Sequence, residues 1–303
     1  MVAATVQRKG SFSHGVKVTH GRITMTRKTT VRTSRKPTGA TCYPDFVSPA
    51  AAEVTAVHKA LAAAFGERRP TKTRSRREIL DTVVGTILSQ NTTNTNSHRA
   101  FSNLKNRFKT WDAVRTAKPS LVEGEIRCGG LAPKKTKCIQ DILKTLYSER
   151  GETSLEHLRN ESKDTVHEQL ERFSGIGKKT AAIINLFDVG HPDMAVDTHV
   201  FRYAIQLGWV PTAKQHEQHN AKAKSKDEKW PVLSRDTTYQ HLDAMFPDRL
   251  KYSMHLIMTD TERGLPTVCT ARDTLSLKNG KLFVNDKPLL EVARDSGLKP
   301  GKR

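Results

Sequence analysis

The chain has 303 residues, with 51 Lys and Arg against 31 Asp and Glu and a formal net charge of +20. This balance implies a polyanionic partner, although a basic ribosomal or membrane-surface protein would carry the same charge. The length suffices for two lobes around a shared cleft, and no apolar run approaches the roughly 20 residues of a membrane span, so we expect a soluble protein.

Residues 1–44 predict a disordered basic arm, because they contain nine Lys and Arg, no Asp or Glu, and many Ser, Thr and Gly. Such a composition cannot bury enough apolar surface to fold. A solvated tail, an import sequence and a segment that engages DNA all stay open for this arm. We expect a nuclear protein, with the mitochondrion as the alternative because an acid-free, Arg-containing start also fits a transit peptide.

Helical spacing of apolar residues predicts a series of helices after the arm. The strongest pattern covers residues 77–90, where six apolar side chains form one buried stripe. Thr165 and Glu168 resemble a capping box, which predicts a helix from Thr165 to Phe173. Further helices are expected at 49–65, 97–108, 134–147, 179–187, 198–207, 237–246 and 249–258.

Two segments break this helical spacing. Residues 213–229 are rich in Lys, Gln and His and predict a surface loop. Residues 274–284 read as two short strands joined by Asn279 and Gly280, a pair that favours a type I′ turn. The pattern predicts an all-α protein with a short C-terminal β-hairpin. The candidate core residues of this last part are Leu256, Ile257, Leu275 and Phe283.

Residues 173–199, FSGIGKKTAAIINLFDVGHPDMAVDTH, carry the most informative pattern. A glycine-bracketed turn at 175–177 can bend sharply and approach another polymer closely. Lys178 and Lys179 follow at the start of an apolar helical run, whose first amides favour an anion. Asp197 stands 18 residues after Lys179 and is expected to cap the next helix. A potential nucleophile and a carboxylate that stabilises a cation thus share one segment.

This segment resembles the helix-hairpin-helix and Gly/Pro…Asp signature of the endonuclease III superfamily of DNA glycosylases. The hairpin of that family reads roughly LPGVGRKTA and is followed by VDTH, and this chain has FSGIGKKTA and then VDTH. The resemblance implies a monomer that binds double-stranded DNA containing a damaged or modified base. The hairpin residues expected to bind DNA are Gly175, Ile176, Gly177, Lys178 and Thr180.

The resemblance also implies a two-lobed helix-hairpin-helix glycosylase fold. Residues 73–190 would form a six-helix lobe that contains the hairpin. Residues 45–72 and 191–270 would form the second helical lobe, and residues 271–303 a C-terminal appendage.

Two residues match the catalytic pair of the family. Lys179 lies at a helix N-terminus beside Lys178, a setting that lowers the pKa of an amine, as a Schiff-base lysine requires. The resemblance implies that Lys179 attacks the sugar, expels the base and leaves an imine that permits β-elimination. Asp197 would stabilise the oxocarbenium-like sugar. The alternatives are a solvated Lys179, an Asp197 that only caps its helix, and a structural His199.

A base must leave the stack before its glycosidic carbon can be reached. Family members fill the opened stack from two places. In this chain Gln90 and Asn91 match the first inserting segment of the family. The loop of Leu131, Ala132 and Pro133 matches the second. Without the resemblance, Gln90 would be read as a polar helix terminus.

The four cysteines, Cys42, Cys128, Cys138 and Cys269, include no CxxC pair, which suggests neither a disulfide framework nor a zinc site. Many relatives of endonuclease III hold an iron–sulfur cluster on four closely spaced cysteines near the C-terminus. Cys269 lies where the first of these would fall, and no cysteine follows it. The resemblance therefore implies a member without metal or cofactor, in which Cys269 is a buried apolar residue.

The leading interpretation is a base-excision repair enzyme with glycosylase and abasic-site lyase activities on oxidised pyrimidines. A 5-methylcytosine glycosylase is an alternative, because Gln90, Asn91 and the LGWVP sequence at 207–211 are shared with DEMETER-like enzymes. Thymine or uracil opposite guanine is a third substrate. The alternatives of another class are a non-catalytic DNA-binding protein that uses the hairpin as a phosphate clamp, and a basic scaffold protein.

Overall fold

The computed structural model describes residues 42–43, 45–46, 49–70 and 77–298. The predicted arm at 1–44 lies outside the described residues except for Cys42 and Tyr43, and so do residues 299–303 of the predicted appendage. Tyr43 is buried and its hydroxyl donates to Thr237 Oγ1 at 3.1 Å. The nuclear location expected from the sequence stays a prediction.

The described part of the chain is mostly helical, which confirms the predicted fold class. None of its helices is long and apolar enough to cross a membrane. Its α-helices are α1 Ala51–Phe65, α2 Ile79–Ser89, α3 Asn94–Arg107, α4 Trp111–Thr116, α5 Pro119–Ile126, α6 Ala132–Arg150, α7 Lys163–Glu171, α8 Lys178–Ile184, α9 Thr198–Gln206, α10 Ala213–Lys222, α11 Arg235–Met245, α12 Asp248–Thr259 and α13 Leu289–Asp295. A π-helical turn, Asn185–Val189, continues α8, and short 3-10 turns lie at Arg127–Gly129, Glu156–Asn160 and Leu265–Thr267.

The described residues form two apolar cores, and the first draws its buried residues from positions 79–184. The predicted stripe of α2 lies in this core, with all six of its apolar side chains buried, because helical residues three and four apart share one face. α6 contributes Ile139, Ile142, Leu143 and Leu146 from one side. Ile176 joins them from the hairpin turn. The hairpin is therefore fixed to the first core.

The second core draws its buried residues from positions 43–65 and 194–293. α1, α9, α11 and α12 form its helical part. It continues beyond residue 270 through Leu275, Leu282 and Leu289 to Ala293. The predicted lobe boundaries near residues 73, 190 and 270 stay predictions.

The C-terminal strands are β1 Leu275–Lys278, β2 Lys281–Val284 and β3 Lys287–Pro288, which form an antiparallel sheet in the order β1-β2-β3. Asn279 and Gly280 join β1 to β2 with φ of 50° and 73°, the pair of positive values that a type I′ turn requires. The predicted hairpin is therefore present. The third strand and α13 were not predicted.

Two of the four candidate core residues of this part are only half-buried. Ile257 and Leu275 are buried as predicted, but Leu256 and Phe283 are not. On β2 the inward positions are Leu282 and Val284. Because successive side chains of a strand point to opposite faces, Phe283 lies on the outer face.

Two local predictions are wrong. Residues 213–229 were expected to form a loop, but α10 occupies 213–222 behind a capping box of Thr212 and Gln215. α10 has no buried residue, so it shows no apolar periodicity by which the sequence could reveal it. The cap of α7 is Ser162, whose hydroxyl accepts from Thr165 N, so Thr165 lies inside the helix rather than before it.

Candidate functional site

α7, the turn at 172–177 and α8 form the predicted helix-hairpin-helix. Gly175 has φ of 88°, and a Cβ built on it would lie 2.8 Å from Cys138 Sγ, so this position has no room for a side chain. Gly177 is different, because its φ is −122° and the space around it is open. The turn therefore requires glycine at one of its two glycine positions.

Lys178 and Lys179 lie in the first turn of α8, and both are half-buried. Lys178 Nζ is 3.3 Å from Glu171 Oε2 on α7. Ile176 and Thr180 are buried, so any DNA contact at these two positions would be made by the backbone. The two lysines thus differ: one is paired across the hairpin, and the other stands where the resemblance expects the nucleophile.

Asp197 is the N-cap of α9, as predicted. Its Oδ1 accepts hydrogen bonds from the backbone amides of His199 and Val200, each at 2.8 Å. Both cap bonds use the same oxygen, so the cap leaves Oδ2 available for a second role. Capping and catalysis are therefore compatible at this residue.

The irregular segment 190–197, between the π turn and α9, is held by side chains from several helices. Asp193 is fully buried, and its Oδ2 accepts from His167 Nε2 of α7 at 2.7 Å and from Asn185 Nδ2 at 2.9 Å. Lys163 Nζ lies 3.4 Å from Asp193 Oδ1. Burial raises the pKa of Asp193, but the hydrogen bond from His167 and the charge of Lys163 outweigh it and hold that pKa below its ordinary value.

The next residue of the segment is held from the second core. The backbone amide of Met194 donates to Asp243 Oδ1 of α11 at 2.9 Å. The same carboxylate contacts Lys251 Nζ at 2.8 Å and Lys163 Nζ at 2.5 Å. Asp243 therefore joins α7, α11 and α12 to the backbone three residues before Asp197.

The third anchor is His255 of α12, which is buried and contacts the carbonyl of Ala195 through Nδ1 at 2.9 Å. Burial lowers the pKa of His255, the charge of Asp197 raises it, and the charge of Lys179 lowers it. His255 therefore holds the backbone two residues before Asp197.

The predicted DNA-inserting residues surround the hairpin turn. Gln90 is exposed at the end of α2, and its Nε2 donates to the carbonyl of Gly175 at 3.0 Å. Asn91 follows with φ of 52°. Leu131 has φ of 51° and keeps 51% of its surface exposed, which presents a large apolar side chain to solvent. Of the adjoining loop residues, Ala132 is buried and Pro133 is exposed.

A buried lysine connects these two inserting segments. Lys135 Nζ donates to the carbonyl of Leu88, before Gln90, and to the carbonyl of Gly129, before Leu131, both at 2.8 Å. Burial lowers the pKa of Lys135. The lysine therefore holds the end of α2 and the start of the 130–133 loop in one arrangement.

A groove of about 620 Å³ opens beside these residues. Four predicted site residues line it, namely Gln90, Asn91, Leu131 and Gly175. The rest of its wall comes mainly from α6. Lys179 and Asp197 do not line this groove, so the inserting residues and the candidate catalytic pair form two distinct parts of the site.

The family follows from residues 84–228, which match the model of the HhH-GPD superfamily of base excision DNA repair proteins. This match confirms the resemblance to the endonuclease III-like members of the superfamily that the motif at 173–199 indicated. The matched range contains the hairpin, Lys179 and Asp197, together with the inserting segments near residues 90 and 131.

Several curated relatives carry the same resemblance. A candidate DNA glycosylase of Arabidopsis thaliana is 42% identical over 180 residues, which cover 59% of this chain and 55% of the relative. The DNA glycosylase/AP lyase ROS1 of the same plant is 37% identical over 101 residues, 33% of this chain and 7% of that one. Endonuclease III of Thermotoga maritima is 31% identical over 139 residues, 46% of this chain and 61% of that one. The chain thus spans less than two thirds of each of these relatives.

A solved structure confirms the fold. The protein of a non-covalent endonuclease III–DNA complex superimposes with a TM-score of 0.53 over 74% of this chain and 94% of that chain, at 18% sequence identity. At this sequence identity the structural similarity supports the fold alone.

Sequence reasoning missed the residues that support the site. Lys135, His167, Asp193, Asp243 and His255 are buried or half-buried polar residues that bond to groups far away in the chain. Only Asp193 lies inside the motif at 173–199. The sequence carried no signal for them, because four are single polar residues on helices and Asp193 lies in the irregular segment 190–197.

Proposed function

We propose that this protein is a base-excision repair DNA glycosylase with associated abasic-site lyase activity on double-stranded DNA. The observation that carries this proposal is that Lys179 stands in the first turn of the second hairpin helix, while Asp197 caps the following helix through Oδ1 alone and keeps Oδ2 out of the cap. A phosphate clamp would need the hairpin turn, but it would need neither a lysine nor a carboxylate in this arrangement. The similarity to ROS1, which is named a DNA glycosylase/AP lyase, supports the lyase part.

In the proposed reaction, the unprotonated Nζ of Lys179 attacks C1′ of the sugar. The bond from C1′ to the base breaks, and the base leaves with the electron pair and takes a proton. Asp197 stabilises the positive charge that develops on the sugar. Opening of the sugar ring gives a protonated imine between C1′ and Nζ. Loss of a C2′ proton then expels the 3′ phosphate by β-elimination.

The inserting residues are proposed to keep the stack open while the base is outside it. Gln90 is already directed to the hairpin by its bond to Gly175, and Leu131 presents half of its surface to solvent. An exposed apolar side chain is costly in water, and a contact with DNA bases would remove that cost.

Oxidised pyrimidines are the first proposed substrate, supported by the endonuclease III-like motif and the Thermotoga maritima relative. 5-Methylcytosine is the second, because ROS1 is 37% identical over 101 residues of this chain. Thymine or uracil opposite guanine is the third.

The test is a panel of duplexes with one modified base each, scored separately for base release and strand scission. Borohydride should trap a covalent complex between protein and DNA. Lys179→Gln should abolish trapping and scission while DNA affinity changes little, because one cation among many is lost. Lys178→Gln is the matched control and should still trap. Trapping that persists in Lys179→Gln would refute the assignment, and DNA binding without any base release would favour the phosphate clamp.

We further propose that the protein holds no iron–sulfur cluster. A cluster of this kind needs four thiolates around one centre. The four cysteines are divided: Cys42 and Cys269 pack with the second core, and Cys128 and Cys138 pack with the first. Among the residues that the structure describes, no His, Cys, Asp and Glu side chains converge as a metal site. Purified protein should be colourless, and iron in stoichiometric amount would contradict this proposal.

A further inference from the structure

His167 of α7 lies between two carboxylates. Its Nδ1 is 2.7 Å from Glu171 Oε1, and its Nε2 is 2.7 Å from Asp193 Oδ2. An ionised carboxylate only accepts hydrogen bonds, and a neutral imidazole has a single N–H donor. Both contacts can be hydrogen bonds to carboxylates only when the ring carries both protons. The geometry therefore points to an imidazolium.

One more titratable group contacts the ring, and further charged groups are linked to its two carboxylates through ion pairs. Tyr239 of α11 places its hydroxyl 3.0 Å from His167 Nε2. The ion pairs that continue from the two carboxylates involve Lys163, Lys178, Lys251, Asp243 and Asp248. This network holds four carboxylates and three ammonium groups, so a charged His167 makes it electrically neutral.

The raised pKa of His167 agrees with this geometry. Burial by itself would lower the pKa of His167, but hydrogen bonds to Asp193 and Glu171 outweigh it, and the pKa is raised. Such a group contributes stability that is fully present below its unfolded pKa of about 6.5. That contribution is lost as the pH rises through the folded pKa. The network therefore weakens on the alkaline side.

The two carboxylates link the His167 ring to the segments that carry both candidate catalytic residues. Asp193 lies four residues before Asp197, at the start of the segment that leads to α9. On the other side, Glu171 also binds Lys178, the neighbour of Lys179. One ring thus connects the segment that carries the carboxylate with the helix that carries the amine.

We propose that His167, as an imidazolium held by Glu171 and Asp193, is a positioning residue that fixes Asp197 relative to Lys179. We call this arrangement the carboxylate clamp. The inference rests on the proposed function, because it concerns the geometry of the same reaction. Deprotonation of His167 removes one of the two clamp bonds, so the segment 190–197 is held to α7 less firmly, although Lys163 still contacts Asp193.

The first experiment measures the charge of His167 without any substrate. Protein labelled with ¹⁵N in its histidine rings is titrated by NMR, and the His167 signals are assigned with a His167→Gln sample. The proposal expects both ring nitrogens to be protonated at pH 7 and to lose a proton only on the alkaline side. A neutral His167 ring at pH 7 overturns it, whatever the activity of the protein.

The second experiment follows borohydride trapping on an abasic duplex against pH. His167→Gln should slow trapping at pH 7 by roughly 10²-fold, the effect of a misplacement of about 1 Å, while DNA affinity changes little. It should also remove the alkaline decline that the titration of His167 imposes on the wild type. His157→Gln is the matched control, because His157 bonds the neutral amide of Gln169 at 2.9 Å and no carboxylate of the clamp.

The outcomes separate the two proposals. Identical pH profiles for wild type and His167→Gln overturn the positioning role even if the enzyme is active. If the wild-type protein never forms a trapped complex with DNA, the proposed function and the positioning role both fail. The NMR titration still decides whether the carboxylate clamp exists. If His167→Gln does not fold, His167→Lys replaces it, since it keeps a cation but can reach only one carboxylate at a time. A pH profile for His167→Lys that matches the wild type also overturns the proposal.

Discussion

The two candidate catalytic residues are positioned in different ways. Lys179 stands at the start of α8, directly after a turn whose shape comes from neighbouring residues, with Ile176 buried beneath it. Asp197 follows an irregular segment that has no repeating hydrogen bonds of its own. That segment depends on α7, α11 and α12, through Asp193, Met194 and Ala195.

The difference teaches that Lys179 is placed by the backbone of a turn and helix that pack on the first core, whereas the segment before Asp197 is held by single side chains from other helices. Substitutions that disturb Lys179 should act through the backbone of the turn. Substitutions that disturb Asp197 should be found far away in the chain, for example at Asp243, 46 positions later. Three pairs of variants can break or sharpen this comparison.

The largest effect is expected at Asp197 itself. Asp197→Asn should reduce base release and strand scission by several orders of magnitude, because the carboxylate charge is lost. Asn caps a helix about as well as Asp, so the free energy of unfolding should change by less than about 1 kcal/mol. Single-turnover rates and denaturant unfolding measure the two effects.

Asp197→Ala is the matched variant for the cap. It should lose the same activity and about 1 kcal/mol of stability in addition, because the amides of His199 and Val200 lose their acceptor. Full activity in Asp197→Asn would mean that the charge takes no part in the reaction and that the residue is only a cap.

The second effect is expected at Asp243. Asp243→Asn breaks the contacts to two ammonium groups, one of which, Lys251, has a side chain only 4% exposed. Removing one partner of a buried ion pair costs about 3–5 kcal/mol. The remaining amide oxygen can still accept from Met194 N, so we expect the free energy of unfolding to fall by about 3 kcal/mol, the lower end of this range. Urea unfolding measures this loss, and borohydride trapping should be slower.

Asp248→Asn is the control for this variant. Asp248 pairs with the same Lys251 but is 69% exposed, and exposed pairs contribute at most about 1 kcal/mol. Equal losses of stability in the two variants would contradict the view that Asp243 anchors the segment before Asp197.

The smallest effect is expected in the hairpin turn. Gly175→Ala adds a methyl group where φ is 88° and Cys138 Sγ is 2.8 Å away. A left-handed conformation costs about 1–2 kcal/mol for a residue with a Cβ. We expect that loss in urea unfolding, with weaker DNA binding because the turn must shift.

Gly177→Ala tests the same turn without the strain. Gly177 has φ of −122° and open space around it, so the alanine variant should lose less than about 1 kcal/mol of unfolding free energy. If the two alanine variants behave alike, the local backbone does not decide the position of α8.

The helices that sequence predicted well are those with an apolar face. α2 and α6 each pack such a face into the first core, and their period of 3.6 residues is visible in the sequence. α10 was missed because it packs no face into a core, although its capping box of Thr212 and Gln215 was readable. The start of α7 was misplaced because Ser162 and Thr165 are both acceptable caps.

The sequence by itself determined the hairpin, the position of Lys179 in the first turn of α8 and the cap at Asp197. These features depend on glycine conformation and helix capping, which act over three or four residues. Only the tertiary structure decided that His167, Asp193 and Asp243 support the segment before Asp197, and that Lys135 joins the ends of two inserting segments 41 residues apart. The physical reason is that a hydrogen bond between distant residues leaves no periodic pattern in the chain, since each partner is one polar residue until folding brings the two together.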